Sequence, residues 1–146
     1  MITDKLLRVS AAQAVTTSAV STDTIDLSQA RDIGEGNDLY MHFIVDEAVT
    51  SGTGGSTVEF QVIGSAAAAL TSPVVLGSSG AIVKTALILG KRVAVRINPN
   101  IGSLGLRYLG ANYVASATLT AGKFTADIVE TIQDGQKAYP SGFTVV

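Results

Sequence analysis

The chain has no cysteine and no tryptophan, and its 146 residues include one histidine. Without cysteine there are no disulfide staples, no thiolate zinc sites and no thiol nucleophile. A single histidine leaves out the acid–base set on which most hydrolases and metalloenzymes depend. Charge is scarce too: 15% of residues are Asp, Glu, Lys or Arg, where a soluble domain usually has about a quarter. The formal net charge of −2 gives no overall attraction to phosphate, so no nucleic-acid partner is expected. No apolar run approaches the ~18 residues of a membrane-spanning helix, and no membrane partner is expected. The opening Met1-Ile2-Thr3-Asp4-Lys5 lacks the basic and apolar regions of a secretory leader. Synthesis in a cytoplasm and use without secretory export follow from that reading.

What the chain does have is a strand composition. Val, Ile and Thr number 16, 11 and 15, and β-branched side chains fit a pleated surface with little loss of χ1 freedom. Fifteen glycines supply turns. The length is that of one domain, too short for two. Low charge combined with a mean hydropathy of +0.38 indicates surface hidden in an oligomer or a larger assembly.

Residues 1–37 are small, Ser/Thr/Ala-rich and without a strong apolar period. They read as an N-terminal arm and loop: a short helix or strand up to Val9, an extended stretch with an edge strand at 24–27, and a glycine-bearing loop at 31–38. The body spans 38–133. Leu39, Met41, Phe43 and Val45 alternate with Tyr40, His42, Ile44 and Asp46, and Val58, Phe60 and Val62 with Glu59 and Gln61, a period of two that marks strands. Residues 64–70 read as a helical turn or a loop. Val74-Val75-Leu76 pairs briefly before Gly77-Ser78-Ser79-Gly80 turns the chain. Further strands are expected at 82–89, 93–97, 107–115 and 124–132, and 134–146 form a C-terminal tail. About eight antiparallel strands predict an all-β, jelly-roll-like sandwich, with a small closed barrel as the alternative.

The candidate chemistry is thin. His42 lies on the strand face opposite Met41 and Phe43, with no orienting carboxylate and nucleophile in reach, and reads as a structural or interface residue. The glycine-rich stretches 52–55 and 77–80 lack the Gly-Lys-Ser/Thr and βαβ context of phosphate cradles. Asp32, Glu35 and Asp38 supply hard oxygens in one loop but not the spacing of an EF-hand. No catalytic, cofactor-binding or metal site is expected, and no cofactor.

One pattern stands out. The segment Asp23 to Glu59 carries −7, whereas Lys84 to Lys123 carries +6 with no acidic residue. Either the two segments are neighbours and pair across the sheets, or one pole meets the opposite pole of a partner and sets register there. On the second reading Asp32, Glu35, Asp38, Arg92, Arg96 and Arg107 are interface candidates.

Several stretches resemble the jelly-roll capsid cement, or decoration, proteins of short-tailed bacteriophages. They are MITDKLLRVS, VSTDTIDL, RDIGEGNDLYM, LTSPVVLGSSGAI, RYLGANY and LTAGKFTADIV, which together span most of the chain to about residue 133. The resemblance implies a structural protein on the outer surface of the virion, not an enzyme. It would bridge subunits of a separate major capsid protein against the pressure of packaged DNA, after synthesis in the bacterial cytoplasm. It also implies self-association, with a homodimer favoured by symmetry and a trimer second. The arm would gain order by docking, with Leu6, Leu7 and Val9 as anchors, unless it pairs on its own domain as an edge strand. A carbohydrate- or receptor-binding jelly roll is the competing class, although sugar sites usually use exposed aromatics and the sequence has few.

Overall fold

The computed structural model describes residues 3–33, 36 and 38–132. These form nine strands: β1 (Arg8–Ala14), β2 (Ala19–Val20), β3 (Ile25–Asp26), β4 (Tyr40–Thr50), β5 (Thr57–Ser65), β6 (Val74–Val83), β7 (Arg92–Arg96), β8 (Tyr108–Ala115) and β9 (Ala121–Val129). No α-helix occurs among the described residues, only 3-10 turns at Lys5–Leu7, Lys84–Ala86 and Gly102–Leu104. One sheet has the order β1-β9-β4-β7, and the other has β2-β8-β5-β6 with β3 also on β8. All pairings are antiparallel. Counting the short pieces β2 and β3 as one position, consecutive strands switch between two four-stranded layers except at the β5–β6 hairpin, which is jelly-roll order. The protein is a β-sandwich.

The core lies between the layers because the inward positions of each strand are apolar. Met41, Phe43 and Val45 of β4 face Val58, Phe60 and Val62 of β5, and each is 1% exposed or less. The outward positions carry the polar residues that keep the sheets soluble.

The N-terminal segment departs from the expected docking arm. β1 is an edge strand of its own domain, paired with β9 from Arg8↔Asp127 to Ala14↔Lys123. Val9 is 0% exposed and packs in the core, so it is not an anchor for an outside partner. Its weak apolar period has a local cause. The ladder is irregular between Arg8 and Ser10 and between Ser10 and Gln13, and Ala12 has φ 46°. Such bulges break the two-residue alternation.

The second correction concerns residues 77–80, which do not turn the chain. They lie inside β6, where the ladder to β5 shifts between Glu59 and Gln61. Ser79 Oγ accepts from the Phe60 N–H at 3.0 Å, Ser78 Oγ donates to Glu59 at 2.6 Å, and Gly80 sits at φ 69°. Gly77 is required for another reason: a Cβ there would stand 2.3 Å from the Arg96 carbonyl oxygen. The two edge strands of this side cross that closely. The expected strand over 82–89 likewise ends at Val83 and gives way to a 3-10 turn. Glu35 and the 134–146 tail lie outside the described residues.

Replacing Gly77 by Ala is expected to cost about 2 kcal/mol, the usual penalty for overfilling a packed contact. Gly54→Ala, with open space around its added carbon, serves as the neutral control in thermal melts. Deleting residues 1–10 should abolish cooperative unfolding, because it removes Val9, Ser10 and the start of the β1–β9 ladder. A truncated chain that melts like the full one would restore the arm reading.

Candidate functional site

The charged side chains are placed by strand register. Asp26 of β3 lies opposite Tyr108 of β8, which brings it to Arg107. Arg107 Nε and Nη2 donate to the two oxygens of Asp26 at 2.6 and 2.7 Å, and the guanidinium lies 5.1 Å over the Tyr108 ring. Arg96 at the end of β7 donates to Asp38, just before β4, at 2.7 Å. Glu47 and Lys123 are register partners in β4 and β9, with 2.9 Å between their charged atoms. All three pairs join the acidic segment to the basic one. The charge split is thus at least partly internal, and Arg96, Arg107 and Asp38, expected as poles for a partner, are engaged within the chain.

The two arginine pairs leave an electrostatic mark. Hydrogen bonding from Arg107 holds the Asp26 carboxyl below its ordinary range, and Asp26 raises Arg107 in turn. Asp38 likewise raises Arg96. Glu59 is lowered by the Ser78 hydroxyl and then by the Gln61 amide.

The remaining candidates separate. Asp32 accepts from the Ser103 N–H and hydroxyl, each at 3.1 Å. Asp32 and Asp38 are therefore tied to different neighbours rather than to a common centre. Among the described residues no three His, Asp or Glu side chains are grouped to hold a metal. Arg92 is exposed at the start of β7, opposite Ile44. His42 is fully buried in β4, opposite Asp127 of β9. Beside it, Arg8 Nε donates to buried Asp127 at 2.7 Å, raising Arg8, and Thr125 donates to Asp46 at 2.6 Å. This polar cluster fastens β1 to the sheet.

Leu6 and Leu7 stay exposed ahead of β1, Leu6 at 84%, and Val20 is exposed on β2. On the opposite long side, Val74, Val75 and Val83 of β6 and Ile88 and Leu89 of the following connection are exposed. Those five were hidden in the sequence by their own regularity, since an aliphatic run reads as a buried strand. The 3-10 turn follows Val83 directly, with no glycine or proline there to signal the break.

A protein-family model described as Bbp16 matches residues 9–128, from the second residue of β1 to the penultimate residue of β9. No curated protein matches the chain.

The Asp26–Arg107 pair makes a pH prediction. A carboxyl whose folded pKa is depressed adds stability above its unfolded value, near ~3.9. That stability is lost as pH falls through the lower folded value. Asp26→Asn should lower the melting temperature slightly at pH 7, and the difference from the parent should close on acidification. A difference that persists at low pH would assign the effect to something other than this ion pair.

Proposed function

The chain belongs to the Bbp16 family, and on that premise we propose that it is a structural protein of a phage virion that cements the capsid. It binds the outer surface of the head and bridges neighbouring subunits of the major capsid protein, stabilising the shell against internal DNA pressure. The observation that carries the reading is the match between family and architecture: the Bbp16 region covers the whole sandwich, β1 to β9, in jelly-roll strand order. This is the fold that the resemblance to cement proteins implied.

The mechanism is repeated binding, not turnover. Asp26, Asp38 and Glu47 pair with cations of other segments, Asp32 anchors a loop through Ser103, and His42 is buried inside a sheet. A homodimer on a two-fold position would present the same patch twice, so that one engaged copy holds the second at high effective concentration. Modest single contacts then give a durable clamp. A trimer would do the same on a three-fold position.

A glycan- or receptor-binding module draws less support. Phe43, Phe60, Tyr113 and Phe124 are all fully buried against one another. Of the described aromatics this leaves Tyr40 and Tyr108 partly exposed, and Tyr108 lies under Arg107.

Co-sedimentation with expanded, undecorated heads, with the free protein's mass read by light scattering, tests the proposal. Saturable binding by a dimer or trimer is expected. A monomer that leaves the heads bare would sink it, and oligosaccharide titration would then test the other class.

A further inference from the structure

Between β6 and β7 the chain makes a tight turn at Ile88–Lys91. The Lys91 N–H donates to the Ile88 carbonyl at 3.0 Å, and Gly90 takes φ 79°, the left-handed conformation needed at the third residue of a type II turn. Both flanks are pinned. Leu87 is fully buried, and its carbonyl accepts from the Val49 N–H at 3.1 Å. On the far side the Gly90 N–H donates to the Val45 carbonyl at 2.8 Å, and the Val45 N–H to the Lys91 carbonyl at 2.9 Å. The pinned tip presents Ile88 at 62% exposure and Leu89 at 68%, with Val83 at 47% exposure at the end of β6.

Turn tips ordinarily carry Gly, Asn, Asp, Ser or Pro. Two large aliphatic side chains at this one add little to the core and keep apolar surface in water. A rigid backbone is, however, what lowers the entropic cost of binding through them. Basic residues flank the tip in sequence, and the acidic side chains of the adjoining β4 segment are already engaged, Asp46 by the Thr125 hydroxyl and Glu47 by Lys123. No Asp or Glu occurs between Glu59 and Asp127, and Lys84, Lys91 and Arg92 flank the tip. Lys84 Nζ donates to the Ser51 and Thr53 carbonyls at 2.7 and 2.8 Å, neutral acceptors that leave its charge in place.

A second copy of the chain is a poor fit for this surface. Asp26, Asp38 and Glu47 are already paired with Arg107, Arg96 and Lys123. A carboxylate-bearing pocket of the described surface, lined by Gly36, Asp38, Tyr40, Glu130 and Thr131, has no aliphatic wall. We propose that the Ile88–Leu89 turn is a docking knob that enters an apolar pocket with an acidic rim on the capsid shell protein, Lys91 facing that rim. This rests on the cement reading above and adds the surface through which the shell is held.

The test uses the full chain, the double variant Ile88→Ser/Leu89→Ser, and Lys91→Glu. Binding to expanded, undecorated heads is followed by co-sedimentation, with melting temperature and light-scattering mass recorded for each protein. The double variant should melt like the parent and bind at least about tenfold more weakly, as the loss of a central apolar anchor does. Lys91→Glu should also bind more weakly, the difference shrinking as salt rises from ~0.1 M to ~1 M. A double variant that saturates heads like the parent overturns the knob and leaves the cement reading standing. A parent chain that does not bind heads overturns both. A parent oligomer that dissociates in the double variant assigns the turn to a second copy and overturns the proposed partner.

Discussion

The sandwich depends on four aromatic rings meeting at one point between its layers. Phe43 and Phe124 come from the central strands of one sheet, and Phe60 and Tyr113 from the central strands of the other. Phe60 stands edge-on to Phe124 with 5.1 Å between centroids, while Tyr113 stacks on Phe124 at 5.2 Å. Truncating one such ring typically costs ~3–5 kcal/mol, which is a large share of a small domain's stability. The Tyr113 hydroxyl carries the constraint outward. It donates to Ser10 Oγ at 2.8 Å, so the ring that joins the sheets also fixes the bulged edge strand β1. Burial pushes the Tyr113 phenol well above its ordinary range, which keeps it a donor at any physiological pH.

Around this centre the scarce charges act as local fasteners. Arg107 holds β3 beside β8, Arg96 holds the chain entering β4, and Arg8 fixes β1 through buried Asp127. Exposed pairs of this kind add little stability each. Their more important effect is on register, because a strand slipped by one residue would set Asp26 or Glu47 away from its cation. These charges are used inside the domain, while aliphatic side chains such as Leu6, Ile88 and Leu89 stand exposed on its surface.

The fold was legible where alternation was clean. Met41, Phe43 and Val45, and Val58, Phe60 and Val62, announced their strands and their inward faces, and all six are buried. Legibility failed where geometry broke the period. The β1 bulges disguised a core strand as an arm, and a serine hydroxyl replacing a ladder partner for Phe60 disguised the middle of β6 as a turn. The charge split was visible in the sequence, but its destination depended on β3 lying beside β8 and β9 beside β4. Those are pairings between distant segments, and local pattern does not encode them. Ile88 and Leu89 were visible as residues and invisible as surface, because exposure is decided by a neighbouring turn and not by side-chain type.

The pairing of the first strand with the last has a consequence for how the molecule is made. Arg8 and Asp127 are 119 residues apart, so β1 has no ladder partner until nearly the whole described chain has left the ribosome. The long loop must be closed before that contact returns any energy, which makes such topologies slow to fold. Until then the β4 edge that β9 will cover stays open, and so do the apolar faces of both half-built sheets. Completion of the domain is therefore a late event, timed by the emergence of β9.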